Sequence, residues 1–136
     1  MKIFFLIPSL EKGGIERSLS RISKGLVDKG SEVVLLTNEV SEEGKSYFEN
    51  SVELIQVTTP FKDKNSLIFQ IFKNLILFFK FKKIINKNKV DLVLAAKNFP
   101  MAIFLKKYSK SKFKLFLREA VDPFVAVKNQ RFYIFR

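Results

Sequence analysis

The chain has 136 residues, 47% hydrophobic and 28% charged, a composition typical of one globular domain with a sizeable core. It contains no cysteine and no histidine. This excludes a disulfide framework, an iron–sulfur cluster and a thiol nucleophile, and it argues strongly against a zinc site or a Ser–His–Asp hydrolase. The net charge of +12 is uneven, since residues 1–60 hold 7 Lys/Arg against 9 Asp/Glu whereas residues 61–136 hold 18 against 4. The second half therefore favours an anionic partner, although biased codon usage would give much of the same total charge.

Two apolar stretches are too short to direct the chain into or across a membrane. Residues 3–7 fall short of a signal-peptide core, and no small-residue cleavage site follows them. Residues 67–81 are interrupted by polar and basic side chains and fall short of the ~20 apolar residues of a transmembrane helix. We expect a cytoplasmic protein, with the inner face of the plasma membrane as a peripheral docking surface.

The order of apolar runs predicts alternating strands and helices. Strands are expected at residues 3–7, 33–37, 52–57, 90–96 and 113–117, and helices at 15–26, 65–88, 100–108 and from 124 onward. Gly30 is placed as a C-terminal helix cap and Pro100 at a first helical position. The alternation predicts an α/β, Rossmann-like parallel sheet in the order 3-2-1-4-5 with helices on both faces. Ligands bind such sheets beyond the carboxyl ends of the strands, which singles out the loops 8–14, 96–99 and 118–123.

Two adjacent glycines, Gly13 and Gly14, lie between the first strand and the first helix. Glycines let a ligand approach the backbone, and the amides at a helix start attract phosphate. Lys12 and Arg17 add positive charge nearby. The spacing is neither G-x-G-x-x-G nor a P-loop, so a tight turn that simply requires glycine is an equal alternative.

A family resemblance adds to this interpretation. The opening M-K-I-F-F-L-I-P-S-L-E-K-G-G-I-E-R-S-L and the later K-G-S-E-V-V-L-L-T resemble the N-terminal domain of glycosyltransferase family 4, whose members have the GT-B fold. V-D-L-V at 90–93 is similar to a "P-D-V-V" strand of that family, and L-R-E at 117–119 with D-P at 122–123 is similar to its S-E-R-N-x-P segment. The resemblance extends over the whole chain and is strongest over residues 1–37.

The resemblance implies a retaining transfer of a sugar from a nucleotide-sugar donor to a glycan or lipid-linked acceptor, in the synthesis of cell-surface polysaccharide or lipopolysaccharide. It gives Gly13, Gly14 and Arg17 a role at the donor phosphates. It makes Glu119 the catalytic acid near the reacting sugar, and it places Glu16 and Arg118 on the acceptor side. Asn98 is added to the acceptor side because it follows the fourth strand, where a polar side chain could meet the acceptor. From the residues alone, Glu16 and Asn98 could instead cap the helices that they precede or begin. No metal or other cofactor is expected.

The resemblance also implies a C-terminal donor-binding domain that this sequence does not contain. Residues 1–136 are therefore expected to form a single N-terminal, acceptor-side domain that is incomplete at its C-terminus and inactive as a transferase on its own. The fifth strand would then present an unpaired edge.

The predicted helix at 65–88 is rich in Lys and in aromatic side chains. Residues 62–89 hold eight Lys and one Asp, a pattern that fits docking on an anionic membrane. The alternative is an ordinary helix whose Lys stems cover apolar surface of the sheet.

Two functions other than sugar transfer stay open. One is a basic nucleic-acid-binding domain, which only the charge suggests; the sequence contains no recognised binding motif, and we expect no nucleic-acid partner. The other is a Rossmann-like scaffold without catalysis.

Overall fold

A computed structural model describes residues 1–48, 52–60 and 66–118. Seven strands and four helices follow one another in these ranges. The strands are β1 (Lys2–Leu6), β2 (Ser9–Leu10), β3 (Glu32–Thr37), β4 (Glu39–Val40), β5 (Glu53–Gln56), β6 (Leu92–Ala96) and β7 (Lys114–Arg118). The helices are α1 (Gly14–Asp28), α2 (Glu42–Lys45), α3 (Leu67–Lys87) and α4 (Phe99–Tyr108). The helix predicted from residue 124 onward lies outside the described residues.

Five strands form a parallel sheet in the order β5-β3-β1-β6-β7. The five strands predicted from sequence correspond to β1, β3, β5, β6 and β7, so the predicted parallel α/β architecture is confirmed and only the numbering differs. The difference arises from β2 and β4, which pair with each other in a separate two-stranded sheet. These two strands have two residues each, which is too short for a periodic pattern to reveal.

The central strands are buried on both faces because helices cover each side of the sheet. On one side, Ile3 and Phe5 of β1 pack with Leu19 of α1. On the other side, Phe4 and Leu6 pack with apolar residues of α3 and α4. This arrangement explains why β1 and β3 read as continuous apolar runs rather than as alternating ones.

The ends of the helices follow local rules of the sequence. Gly30 has φ of +80°, and the backbone N–H groups of Gly30 and Ser31 donate to the carbonyls of Val27 and Leu26, which closes α1 with a Schellman motif. Pro100 lies in the first turn of α4 as its second residue, one position later than predicted, because the helix begins at Phe99. None of the helices in the described ranges has the length and apolar content needed to cross a bilayer.

Candidate functional site

The candidate site lies at the carboxyl ends of β1 and β6, where the strand order reverses. Strand β1 occupies the centre of the sheet, with β3 on one side and β6 on the other. The chain leaves β1 toward α1 and leaves β6 toward α4, so the two helix starts flank one crevice. Ligands of open parallel sheets bind at this point.

An ion pair joins the two sides of the crevice. The carboxylate of Glu16, in the first turn of α1, lies 3.1 Å from Lys97 Nζ in the loop after β6. Glu16 is buried, with 2% of its side chain exposed, whereas Lys97 keeps 38% exposed. A buried carboxylate needs such a partner, because an unpaired buried charge is strongly unfavourable. Glu16 thus links the start of α1 to the loop after β6. The N-cap residue of α1 is Gly13, which has no side chain to cap the helix.

Lys97 was not singled out by the sequence, although a signal for it was present. It directly follows a buried strand, and the predicted strand order places that strand beside β1. The carboxyl ends of β1 and β6 therefore had to meet. The structure was needed to show that Lys97 pairs with Glu16, the one acidic residue in the first turn of α1.

The two glycines of the loop have different surroundings. Gly13 adopts an extended backbone with φ of −157°, which any residue can adopt, yet a Cβ there would lie 2.5 Å from Glu16 Oε2. The Glu16 carboxylate, rather than the backbone angles, therefore favours glycine at position 13. Gly14 begins α1 and has no heavy atom within 4 Å of the position of a Cβ. Only Gly14 leaves its side open for a ligand at the helix start.

Of the two predicted arginines, Arg17 belongs to α1 and Arg118 contacts this helix from the end of β7. The Arg17 guanidinium stacks over the ring of Tyr47, 5.6 Å from its centre. Arg118, the last residue of β7, donates a hydrogen bond of 2.6 Å from Nη2 to Ser18 Oγ. Its other terminal nitrogen, Nη1, is buried without a hydrogen-bond partner among the described residues. Arg118 thus ties the end of β7 to the first turns of α1, next to the crevice.

The turn between β6 and α4 contains two consecutive residues in the left-handed region. Lys97 has φ of +66° and Asn98 has φ of +43°. Such angles are unfavourable for residues other than glycine, and they concentrate at functional sites. Asn98 occupies the N-cap position of α4, but its side chain makes no capping hydrogen bond. Asn98 therefore occupies the predicted cap position, but the prediction that its side chain caps the helix is wrong.

Three neighbouring cavities extend from the crevice along the face covered by α3 and α4. An apolar groove of about 630 Å³ lies between α3 and α4 and reaches Asn98. A cavity of about 200 Å³ beside Asn98 leads past Pro8 to Lys73. A cavity of about 280 Å³, lined by both polar and apolar residues, continues from Lys73 to Thr58. In this mixed cavity Lys73 Nζ lies 2.9 Å from Glu39 Oε1.

One predicted site residue cannot be placed. Glu119, the predicted catalytic acid, lies outside the described residues. Within those residues, no three acidic side chains come close enough together to hold a metal ion. The structure thus brings together Gly13, Gly14 and Glu16 at the start of α1, with Asn98 and Arg118 on neighbouring strand ends.

Comparisons with known proteins identify the fold. The sequence matches no protein-family model and no curated protein. The structure is similar to the lipopolysaccharide outer core galactosyltransferase WaaB in its apo form, with a TM-score of 0.65 and 14% identity over 86% of this chain. It is also similar to the C-terminal domain of a hydrogenase from Pyrococcus furiosus, with a TM-score of 0.56 and 15% identity over 87% of this chain.

These likenesses establish the Rossmann-like α/β fold and no more. The chain spans 32% of the galactosyltransferase and 90% of the hydrogenase domain. One neighbour is a galactosyltransferase and the other is a domain of a hydrogenase, so the fold alone does not decide what this chain does. The function has to be argued from the crevice.

Proposed function

We propose that the chain is the acceptor-side domain of a retaining glycosyltransferase of the family 4 type, which moves a sugar from a nucleotide-sugar to a glycan or lipid-linked acceptor. The observation that carries the proposal is the open start of α1 at Gly14, at the point where the strand order reverses. Backbone N–H groups at a helix start bind phosphate oxygens, and the helix dipole favours the negative charge. The fold similarity to a galactosyltransferase, with a TM-score of 0.65 against 0.56 for the hydrogenase domain, is consistent with this choice.

The ion pair between Glu16 and Lys97 fits the same function. A carboxylate at a helix start would repel a diphosphate if it were exposed and unpaired. Here Glu16 is buried and its charge is met by Lys97, so the Gly14 side of the helix start keeps its attraction for an anion. Arg118, with Nη1 unpartnered among the described residues, adds a cation beside the crevice for the acceptor side. Glu119 follows it directly and is proposed as the acid near the reacting sugar.

Two glycines of α1 provide a matched test. Gly14 and Gly25 are both helical, and a Cβ at either position meets nothing within 4 Å. Each Gly→Ala variant should therefore fold, with a gain in stability of up to about 1 kcal/mol. We expect G14A to weaken the binding of nucleoside diphosphates at least tenfold in calorimetric titrations, because its methyl group blocks the approach to the amides. G25A should stay within twofold of the parent, and equal affinities for both variants would contradict the phosphate role of Gly14.

The transfer reaction itself is expected to need a donor-binding domain in addition to this chain. We expect no turnover of nucleotide-sugar by the 136-residue chain alone, measured by transfer of radiolabelled sugar. Turnover by the purified chain without a partner would contradict the division of roles between two domains.

The exposed face of α3 supports a membrane surface as a partner. Leu67, Ile68 and Phe72 each expose more than half of their side chains near the start of the helix. Lysines follow along the same helix, and apolar and basic side chains together bind anionic lipid surfaces. We expect the chain to float with anionic vesicles and not with neutral ones, and loss of flotation as salt rises. Absence of flotation at low salt would contradict this partner.

A further inference from the structure

Most of the large apolar side chains that are exposed in the described ranges lie on α3 and α4, and five of them line the groove between these helices. The five, each exposed to between 49% and 59%, are Ile71, Leu75, Phe79, Phe104 and Tyr108. Single apolar side chains on a surface need no explanation, but several that converge in a groove are typical of a ligand site. The groove volume of about 630 Å³ is within the usual range for such sites.

The groove is recessed between the helices rather than flat. Its lining includes Met101, which is only 7% exposed, and the half-buried ring of Phe78. The rings of Phe104 and Tyr108 stack with their centres 6.1 Å apart, and Phe78 contacts Tyr108 edge-on at 6.3 Å. The flat surface of a bilayer would leave Met101 and Phe78 uncontacted, whereas a single inserted chain would reach both.

The two ends of the groove differ in charge. Both helices run from the carboxyl edge of the sheet to its amino edge, because each joins the end of one parallel strand to the start of another. Near the end of α3, Lys82 lines the groove with Nζ 5.9 Å from the centre of the Phe78 ring. In the last turn of α4, Lys107 Nζ lies 5.2 Å from the centre of the Tyr108 ring. Two ammonium groups therefore lie at the amino-edge end of the groove.

No carboxylate of these helices competes for the two ammonium groups. Neither α3 nor α4 contains an acidic residue, and Lys82 and Lys107 form no ion pair within the described ranges. Lys106 is different, since it donates a hydrogen bond to the carbonyl of Phe113. The rest of the groove lining is uncharged. The groove thus offers apolar surface along its length and positive charge at one end.

We propose that this groove binds a free long-chain carboxylate, with the hydrocarbon chain between α3 and α4 and the carboxylate at Lys82 and Lys107. Between Ile71 and Lys82, α3 rises by about 16 Å, which is similar to the length of an extended dodecyl chain. A single terminal anion matches cations that are confined to one end of the groove. An acidic helix would need cations along the whole groove, and a second copy of this chain would bring like charges together. The inference does not rest on the proposed function, because it involves neither the start of α1 nor a sugar.

Three dissolved probes separate the contribution of the chain from that of the charge. They are dodecanoate, hexanoate and dodecyltrimethylammonium, each titrated by calorimetry at mildly alkaline pH and below the concentration at which it self-associates. We expect dodecanoate to bind at a 1:1 ratio and at least tenfold tighter than either of the others. Hexanoate removes less hydrocarbon surface from water, and dodecyltrimethylammonium brings a cation to Lys82.

Two matched pairs of variants locate the site. Leu75 and Ile103 are exposed to 49% and 51%, but only Leu75 lines the groove. We expect L75Q to weaken dodecanoate binding at least tenfold and I103Q to change it less than twofold. Lys82 lines the groove and its neighbour Lys83 does not, although both substitutions to Gln remove the same charge. K82Q should weaken dodecanoate at least threefold without weakening dodecyltrimethylammonium, and K83Q should change either probe less than twofold.

Several results would overturn the proposal. These are no saturable binding of dodecanoate, equal binding of either other probe, and equal effects within either pair of variants. Flotation with anionic vesicles without binding of dissolved dodecanoate would show that the face is only a membrane-docking surface. A dimer in sedimentation that L75Q dissociates would show that a second copy covers the groove. None of these results affects the nucleoside diphosphate titrations of G14A and G25A, so this proposal and the proposed function can fail separately.

Discussion

Replacing Gly13 by alanine tests whether the buried Glu16 carboxylate is the reason why the loop before α1 has glycine at position 13. The new Cβ would lie 2.5 Å from Glu16 Oε2, so the carboxylate has to move by about 1 Å to reach an ordinary contact of about 3.5 Å. Glu16 is only 2% exposed and its partner Lys97 lies 3.1 Å away, so this movement disturbs the ion pair. Removing one partner of a buried pair costs about 3–5 kcal/mol. Because Lys97 is partly exposed and Glu16 is displaced rather than removed, we expect G13A to lower the free energy of unfolding by roughly 1–3 kcal/mol.

The same substitution should behave differently when Glu16 is absent. In an E16A background the contact disappears, and the extended φ of Gly13 accepts alanine, so G13A should be neutral or stabilising by up to about 1 kcal/mol. Urea unfolding of the parent, the two single variants and the double variant gives the coupling energy, which we expect to exceed about 1 kcal/mol. Additive effects of the two substitutions would refute the link between Gly13 and the Glu16 carboxylate.

Two further predictions concern other contacts of the fold. G44A should lower the free energy of unfolding by about 2 kcal/mol or more, measured by urea unfolding. The new Cβ would lie 2.5 Å from the backbone of Leu10, and backbone atoms cannot rotate away as a side chain could. An unchanged unfolding midpoint would contradict the contact between α2 and β2. S18A should lower the free energy of unfolding by about 1 kcal/mol through loss of the hydrogen bond from Arg118, and an equal loss in an R118A background would show that the bond does not contribute.

The parallel sheet could be predicted from sequence because strands that are buried on both faces appear as continuous runs of apolar residues. Residues 3–7 are five apolar residues in succession, and the first four of them lie in strand β1. The helix that follows shows apolar residues at helical spacing and is closed by Gly30. The strands β2 and β4 have two residues each and are too short to form such a run. The pair is held by backbone contacts, in which the N–H groups of Asn38 and Glu39 donate to Pro8 and that of Ser41 donates to Leu10.

The site was only partly visible in the sequence. The glycine loop and its position at the carboxyl edge followed from element order, but the distinct surroundings of Gly13 and Gly14 depend on where one carboxylate points. Lys97 is one of 25 basic residues, and only its ion pair with Glu16, 81 positions earlier in the chain, distinguishes it from the others. The groove between α3 and α4 depends on how two helices pack, and the spacing of apolar residues within either helix does not encode this.

The most direct test of the phosphate role at the start of α1 is a titration of the isotope-labelled chain with inorganic pyrophosphate, followed by the amide chemical shifts. The account predicts saturable shifts at Gly14 and Ile15, shared by the loop at Lys97 and Asn98 and small at Gly25. Shifts spread over the lysines of α3, with none at Gly14, would contradict it.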